Sequence, residues 1–323
     1  MKRIGIFTSG GDAPGMNACT RAVVRSSIFY ELEIFGIYRG YEGMIDNDIK
    51  QFHSHSVSNI LQKGGTILKT ARCDEFLTKE GRKKAYESLQ KNGIEALVAI
   101  GGDGTFEGAS IFHKEYGIPI IGIAGTIDND IYGTDFTIGF DTAVNTVLDA
   151  IDKIRDTADS HGRIFFVEVM GRDSGYIAIR SAIGGGAEGV MLPENKTTSE
   201  DIISYLKEDI RREKTFSIIV VAEKDTPGNT IALAEKCKIA LGDKDIRVTI
   251  LGHIQRGGGP TAHDRVLASR LGLAAVEALR DGKTNDMVGI VNNAVNFVSL
   301  EDSFMKNKPL VADLLRLVKI LSI

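Results

Sequence analysis

The sequence predicts an α/β protein that contains two parallel β-sheets covered by helices. Short apolar runs alternate along the chain with segments of helical periodicity, which is the pattern of βαβ units. The chain has 323 residues, more than one hydrophobic core usually covers, so two domains are expected. The apolar runs also form two groups with their own helices, which favours one sheet in each domain.

The strands and helices can be placed from this pattern. Continuous apolar runs are typical of buried parallel strands, and they predict strands at 3–7, 33–38, 95–100, 118–124, 163–170, 216–223, 246–252 and 287–291. Apolar residues at helical spacing predict helices that include 15–30, 79–92, 140–158, 199–212, 262–280 and the C-terminal 309–323.

Composition excludes several classes of protein. Apolar residues make up 43% and charged residues 25%, and the net charge is −4, without the basic excess of a nucleic-acid binder. Three distant cysteines favour a reduced, cytoplasmic protein. No apolar run is long enough for a signal-peptide core or a membrane span, so neither is expected.

Two glycine-rich segments predict a phosphate site. GGDGT at 101–105 follows an apolar run, and its glycines let the backbone approach a ligand closely, while Asp103 offers a carboxylate for a divalent metal. TSGGDAPGMN at 8–17 follows the first strand and leads into a helix, whose N-terminus favours anions. It is neither a Rossmann nor a Walker loop, and a simple tight turn would also explain it.

GTIDND at 125–130 supplies two carboxylates for chemistry. If the segment is extended, Asp128 and Asp130 share a face. Next to a metal-bound phosphate, one could accept a proton while the other holds metal or water.

Further segments carry groups for anions and sugars. HIQRGGGP at 253–260 places His253 and Arg256 beside a glycine turn, and arginine forks onto phosphate. MGRDSG at 170–175 and Glu223 each close a strand, where a glutamate could bind sugar hydroxyls. Arg21 and Arg25 lie four apart on one helix face, where they repel unless an anion bridges them. A solvated helix face or a strand-end ion pair would also explain such residues.

Taken together, the motifs resemble those of the bacterial ATP-dependent 6-phosphofructokinases. The motifs that carry the resemblance occur in the family's order over nearly the whole chain, and they are TSGGDAPGMN, GGT with TAR at 64–66 and 70–72, AIGGDGT, GTIDND, TIGFDTA, IRDTADSH, VEVMGR and LGHIQRGG. The resemblance implies two doubly wound, Rossmann-like parallel-sheet domains with the active site in the cleft between them. It places an ATP-binding domain at 1–139 plus 255–304 and a fructose-6-phosphate-binding domain at 140–254 plus 305–323.

The resemblance also implies a reaction, the glycolytic transfer of a phosphoryl group from MgATP to the 1-hydroxyl of fructose 6-phosphate. Asp128 is then the base, Asp103 holds Mg²⁺, and Arg72 contacts the transferring phosphoryl group. The implied catalytic set is Asp128, Arg72, Thr126, Asp130 and Arg172. The implied ATP set is Gly11, Tyr41, Arg72, Cys73, Gly102, Asp103, Gly104, Thr105 and Gly108. The implied sugar-phosphate set is Thr126, Ile127, Asp128, Arg163, Met170, Gly171, Arg172, Glu223, Arg247, His253, Ile254, Gln255 and Arg256.

In the family, residues corresponding to Arg163 and Arg247 reach the 6-phosphate from a neighbouring subunit, so the resemblance implies a homotetramer. It also implies an effector site for a nucleoside diphosphate or phosphoenolpyruvate, built from Arg21, Arg25, Arg155, Gly186, Glu188, Arg212 and Lys214. Gly104 and Gly125 stand where pyrophosphate-dependent relatives carry Asp and Lys, which favours ATP. Ala124 stands where the family usually has proline before GTIDND, which predicts a mild loss of rigidity. Departures from the family pattern at Ser54, Glu213, Thr215 and Phe216 predict weaker or altered regulation.

Two other functions share part of this pattern. NAD kinases and lipid kinases also contain GGDGT, although GTIDND and HIQRGG are then unexplained. A non-enzymatic nucleotide sensor could use the same fold, but it would be expected to have lost Asp128.

Overall fold

The structure is a computed structural model that describes residues 1–194, 197–224, 230–242 and 244–321. The chain divides into two compact units. The first comprises Met1–Thr142 with Arg256–Lys308, and the second comprises Ala143–Gln255 with Pro309–Ile323. The chain therefore passes from one unit to the other three times.

The first unit contains a seven-stranded sheet in the order β11-β10-β5-β4-β1-β2-β3. The strands are β1 Arg3–Thr8, β2 Glu33–Ile37, β3 Ile49–Phe52, β4 Ala96–Gly101, β5 Ile120–Ala124, β10 Asp286–Val291 and β11 Ala294–Ser299. Its five central strands are parallel, and β3 and β11 pair antiparallel at the two edges. The central strands are almost wholly buried, which explains why they appear in the sequence as continuous apolar runs.

Helices cover this sheet. They are α1 Met16–Phe29, α2 Tyr41–Ile45, α3 Lys79–Lys91, α4 Asp103–Tyr116, α9 Ala262–Arg280 and α10 Leu300–Met305. Helix α1 packs along α9. Buried aromatic residues from the strands and from α4, among them Phe7, Phe106 and Phe112, fill the core of one layer.

The second unit contains a four-stranded, wholly parallel sheet in the order β7-β8-β6-β9. Its strands are β6 Ile164–Val169, β7 Gly189–Met191, β8 Ser217–Ala222 and β9 Ile246–Ile250. Its helices are α5 Phe140–His161, which begins in the first unit, α6 Tyr176–Gly184, α7 Ser199–Arg211, α8 Thr230–Leu241 and α11 Ala312–Leu321. Phe166, Leu206 and Cys237 belong to its core.

All eight expected strands are present, with ends shifted by one or two residues. The short strands β3, β7 and β11 were not expected, because three to six residues without a strong apolar run give little signal. The expected C-terminal helix corresponds to α11, and residues 322 and 323 lie outside the described residues. Within the described ranges, no helix combines the length and the apolar character needed to cross a membrane.

Candidate active site

The loops after β1 and β4 meet where the strand order of the first sheet reverses. From β1, one crossover leads to β2 on one side, while β4 lies on the other side. The backbone N–H of Ser9 donates to the carbonyl of Ile100 at 3.0 Å. Open α/β sheets bind their ligands in the crevice at such a switch point, and here TSGGD and GGDGT meet at that point.

Both glycine segments lead directly into helices. Gly15, with φ of 107°, precedes α1, and Gly102 precedes α4, which begins at Asp103. GGDGT is therefore a strand end joined to the first helical turn, rather than a loop alone. The first N–H groups of a helix lack intrahelical partners and favour an anion, so both segments can present donors to phosphate.

Tyr41 forms a buried wall behind the first turn of α4. Its hydroxyl donates to the carbonyl of Thr105 at 2.6 Å, and its ring stacks on Phe76 with centroids 3.9 Å apart. A methyl group on Gly108 would lie only 3.1 Å from the Tyr41 hydroxyl, so close packing explains this glycine. Cys73 is half-buried near Phe76, and desolvation raises the pKa of its thiol.

The GTIDND segment is a compact turn. Asn129 has φ of 55°, a left-handed conformation that interrupts extended backbone. The segment is therefore not extended, and the condition under which Asp128 and Asp130 were predicted to share a face is not met. Asp128 is 2% exposed, whereas Asp130 is half-buried.

This turn lies beside GGDGT. Strand β4 pairs with β5 so that Gly101 is opposite Ala124, and the N–H of Gly125 donates to the carbonyl of Gly101 at 2.9 Å. A methyl group on Gly102 would lie 3.8 Å from Cβ of Thr126. The segment with the candidate metal ligand Asp103 and the segment with the candidate base Asp128 are thus neighbours.

The two glycines proposed to select the phosphoryl donor differ in their surroundings. Gly104 is exposed, and a methyl group there would meet no atom within 4 Å. A methyl group on Gly125 would lie 2.9 Å from Ile100 and 3.1 Å from Met16. A lysine at 125 would therefore require the core to rearrange, whereas the space beside Gly104 can accept a ligand.

Arg256 lies against the first glycine loop. Its Nη1 donates to the carbonyl of Asp12 at 3.2 Å, and a methyl group on Gly11 would lie 2.7 Å from that nitrogen. Arg256 ends a 3₁₀ helix at Gly252–Arg256, in which Gln255 is buried while His253 and Ile254 are exposed. Arg72 is exposed in the segment before Cys73.

Two buried polar residues that the sequence did not single out hold these loops. The Asn17 side chain donates to the carbonyls of Lys63 and Gly64 at 3.1 and 3.0 Å, and it accepts from the N–H of Ile67 at 2.8 Å. It therefore fixes the GGT segment that leads towards Arg72. Asn17 lies within the TSGGDAPGMN motif, but the motif alone does not reveal this role.

Asp264, in the first turn of α9, is the second such residue. Its carboxylate accepts from the N–H of Gly139 and Thr142 at 3.0 and 2.9 Å and from the Thr142 hydroxyl at 2.5 Å. Burial raises the pKa of Asp264, and these hydrogen bonds act in the opposite direction. Asp264 thereby anchors the start of α5 to the segment that follows HIQRGGGP.

In the second unit, the carboxyl ends of three strands bring the candidate sugar residues together. Glu223, after β8, accepts from the N–H of Arg172 at 2.8 Å and donates its own N–H to Val169 at 2.9 Å. The Gln255 side chain accepts from the N–H of Met170 at 3.2 Å. At Gly171, φ is 146°, and a side chain would collide with the Ser174 carbonyl, so only glycine fits this turn.

Arg163 and Arg247 lie at the opposite end of this sheet. Arg163 precedes β6, whereas Met170 follows it. A strand of six residues spans about 20 Å at 3.3 Å per residue. These two arginines therefore do not join Met170 and Glu223 at the same end of the sheet.

Arg155 and Lys214, two of the candidate effector residues of the second unit, lie near Glu188. Nη2 of Arg155 donates to the carbonyls of Gly185 and Gly186, and its guanidinium lies 5.4 Å from the centre of the Phe216 ring. Glu188 accepts from the N–H of Ile218 at 2.6 Å. Burial raises the pKa of Glu188, opposed by that hydrogen bond and by nearby positive charge.

Other candidate effector cations are paired with acidic residues of the same chain. Lys214 lies 3.4 Å from Asp209, and Arg212 lies 3.4 Å from Glu208. In the first unit, Arg21 is half-buried on α1. The pKa of its guanidinium is lowered mainly by burial and, to a smaller extent, by repulsion from Arg25.

Comparison with known proteins agrees with this architecture. The phosphofructokinase family profile matches residues 3–279. The chain is 57% identical over 319 residues to the "ATP-dependent 6-phosphofructokinase" of Cytophaga hutchinsonii, covering 99% of this chain and 97% of that protein. It is 55% identical over 323 residues to the "ATP-dependent 6-phosphofructokinase 1" of Thermus thermophilus, covering 100% of both.

Solved structures show the same fold. Phosphofructokinase from Saccharomyces cerevisiae superposes with a TM-score of 0.90 at 36% identity, over 94% of this chain and 45% of that longer chain. A pyrophosphate-dependent phosphofructokinase from Marinobacter aquaeolei gives a TM-score of 0.86 at 20% identity, over 99% of this chain and 91% of that one, and this likeness concerns the fold alone.

The fold and the glycine-rich loops at its switch point are those of a phosphate-binding α/β protein. The family match over most of the chain and the full-length relatives then show that the chain belongs to the phosphofructokinase family.

Proposed function

We propose that this chain transfers the terminal phosphoryl group of ATP to the 1-hydroxyl of fructose 6-phosphate, giving fructose 1,6-bisphosphate and ADP in the cytoplasm. The meeting of the TSGGD, GGDGT and GTIDND segments at the switch point of the first sheet supports this assignment best. Full-length relatives that carry the name of this activity support it independently.

The nucleotide binds at the glycine-rich loops. The N-terminal turns of α1 and α4 present backbone donors to its phosphates, together with Gly11, Gly102, Gly104 and Thr105, while Tyr41, Cys73 and Gly108 form the wall beyond. Asp103 would hold Mg²⁺ together with the phosphates, since Mg²⁺ usually takes one or two carboxylates and several phosphate or water oxygens. When bound, the ion neutralises charge on the phosphate oxygens.

Asp128 accepts the proton of the 1-hydroxyl as that oxygen attacks phosphorus. Its burial and the rigid turn around it fix its position, which matters because phosphoryl transfer depends mainly on positioning and electrostatics. Arg72 and Arg172 stabilise the charge of the transferring group, with Thr126 and Asp130 beside it.

The sugar phosphate is held mainly by the second unit. Glu223, Met170 and Gly171 bind the sugar, and His253, Gln255 and Arg256 lie towards its 6-phosphate. Ile127 and Ile254 are the remaining residues proposed to line the sugar-phosphate site.

The enzyme works as a homotetramer in which Arg163 and Arg247 reach the 6-phosphate of a neighbouring subunit. The support is geometric, since about 20 Å of strand separates Arg163 from Met170 within one chain. Analytical ultracentrifugation tests this: a monomer that is fully active would contradict it.

Regulation acts through Arg21, Arg25, Arg155, Gly186, Glu188, Arg212 and Lys214, with a nucleoside diphosphate or phosphoenolpyruvate as the effector. Intrachain partners of Arg155, Arg212 and Lys214 support a weakened response, because an anion must compete with them.

A kinase assay with varied donor and acceptor tests the proposed reaction. Formation of fructose 1,6-bisphosphate is measured with ATP or pyrophosphate as donor, with Mg²⁺ or with a chelator. We expect turnover with ATP and Mg²⁺ only. Faster turnover with pyrophosphate would overturn the donor assignment, and phosphorylation of NAD or diacylglycerol in place of the sugar phosphate would overturn the acceptor assignment.

A further inference from the structure

Arg163 and Arg247 share one carboxylate, that of Asp245. Nε of Arg163 lies 2.6 Å from Oδ2 of Asp245. Nε of Arg247 lies 2.8 Å from Oδ1, and its Nη2 donates to Oδ2 at 3.2 Å. Both carboxylate oxygens are therefore engaged by the two guanidinium groups that are proposed to bind the 6-phosphate.

The strand register explains this arrangement. Asp245 and Arg247 are two residues apart, so their side chains lie on one face of the chain as it enters β9. Ile164 and Ile246 are paired, and the N–H of Ile164 donates to the carbonyl of Asp245 at 3.0 Å. Arg163 is thereby placed opposite Asp245, at the amino ends of two neighbouring strands.

The chemistry of the contacts leaves donors for a second anion. Each guanidinium group has five N–H donors. The Asp245 carboxylate contacts only Nε of Arg163 and two nitrogens of Arg247, Nε and Nη2. The terminal nitrogens of Arg163 and Nη1 of Arg247 can still donate to a phosphate. The hydrogen bond from Arg163 holds the pKa of Asp245 below its usual range, so the carboxylate is charged at neutral pH.

We propose that Asp245 is a positioning residue for the 6-phosphate of fructose 6-phosphate. It holds Arg163 and Arg247 side by side and offsets their mutual repulsion, so that the pair presents an aligned set of donors to the substrate of the neighbouring subunit. This inference rests on the proposed function, and it adds a residue that does not itself contact the substrate.

The test compares substitutions at Asp245 in the purified full-length enzyme. Asp245→Asn removes the charge at nearly constant size, and we expect the KM for fructose 6-phosphate to rise about two- to fivefold, as for the loss of partly exposed ion pairs. The KM for ATP, the kcat and the oligomeric state should stay close to those of the wild type. Asp245→Glu keeps the charge and should restore most of the affinity.

Glu33 offers a matched control. It pairs with Arg3 at 2.9 Å across the amino ends of β1 and β2, and its side chain is 44% exposed, against 41% for Asp245. Glu33→Gln should leave both KM values unchanged, which separates positioning of the substrate arginines from a general loss of a strand-end ion pair.

The outcomes distinguish this inference from the proposed function. A wild-type enzyme without activity on fructose 6-phosphate would overturn both. An active wild type whose Asp245→Asn variant has an unchanged or lower KM would overturn the positioning role alone. If Asp245→Asn changes the oligomeric state, the Asp245→Glu variant provides the test. A KM for fructose 6-phosphate near that of the wild type, in an intact assembly, supports the proposal. A KM raised as far as in Arg247→Ala overturns it.

Discussion

The side-chain oxygen of Asn129 accepts a hydrogen bond from the backbone N–H of Thr137 at 2.9 Å. The Thr137 hydroxyl in turn donates to the carbonyl of Thr126 at 2.6 Å. These two contacts close the turn that carries Asp128 onto the segment leading to α5. Asn129 is 1% exposed and has a left-handed backbone, so it combines a conformational and a hydrogen-bonding role.

Asn129→Ala and Asn129→Gly separate these two roles. Both lose the bond from the N–H of Thr137 and a second bond that the Asn129 amide donates to the carbonyl of Asp135, which should lower the free energy of unfolding by about 1–3 kcal/mol. Alanine also has to adopt the left-handed backbone, so it should be less stable than glycine by about 1 kcal/mol. Urea denaturation measures the difference.

Asn47 provides the control for that comparison, since it is also left-handed but exposed. Asn47→Ala should be less stable than Asn47→Gly, as predicted for the two variants of Asn129. Turnover should be unchanged in both Asn47 variants. At Asn129 both variants should also lose turnover. Normal kcat in Asn129→Gly would show that the turn does not position Asp128.

Asp128→Asn tests the assigned base. Removal of a general base typically lowers turnover by about 10²–10⁴-fold, and the amide matches the carboxylate in size at this buried position. Because the proposed nucleotide contacts lie in other segments, ATP should still raise the melting temperature as it does for the wild type. Unchanged kcat in a folded Asp128→Asn enzyme would refute the role.

Arg82 and Glu115 give the fold a defined acid sensitivity. Nε and Nη2 of Arg82 donate to the Glu115 carboxylate at 2.7 and 2.8 Å, and Nη1 donates to the carbonyls of Phe76 and Leu77 at 3.0 and 2.8 Å. The Arg82 hydrogen bond lowers the pKa of Glu115 from 4.5. The pair is therefore fully stabilising above pH 4.5, and this stability is lost as pH falls through the lower pKa of the folded state.

Glu115→Gln should remove that dependence. At pH 7 the variant should be less stable by about 1–3 kcal/mol, as for a charged hydrogen bond, and the difference from the wild type should shrink as pH falls below 4.5. Thermal denaturation across pH measures it. As a control, Glu301→Gln breaks the exposed pair with Lys114 at 2.8 Å and should change stability little. If Glu115→Gln were less stable than the wild type by the same amount at every pH, the Arg82–Glu115 pair would not be the source of the acid sensitivity.

The response to effectors should be weak. Allosteric coupling commonly changes affinity about 5–150-fold, and we expect ADP and phosphoenolpyruvate to change half-saturation by fructose 6-phosphate by less than about fivefold. Arg155, Arg212 and Lys214 already have partners within the chain, which an effector must displace. Steady-state titration measures the change, and strong activation by ADP at ordinary concentrations would contradict this prediction.

The sequence predicted the parts of the fold that depend on long-range burial. The central strands are continuous apolar runs because helices cover both of their faces, and that pattern is visible without a structure. The backbone conformation of individual loops is harder to predict from the sequence. GTIDND is not extended, since Asn129 has a left-handed backbone, and the bond from Thr137 that holds its side chain comes from outside the motif.

The carboxylates that organise other groups were also missed. Asp245 and Asp264 act through residues that are distant in sequence or on a neighbouring strand. Single aspartates give no pattern from which such partners can be inferred. The spacing of Asp245 and Arg247 places them on one face, but only the register of β6 and β9 brings Arg163 to the same carboxylate.

The path of the chain through its two units has a consequence for biosynthesis. Strand β10, which pairs with β5, and helix α9, which packs along α1, both follow the long segment Ala143–Gln255. While the ribosome is still translating that segment, β5 has an open edge and the buried face of α1 is uncovered. The buried surface of the first unit can therefore be completed only after α9 and β10 have been translated.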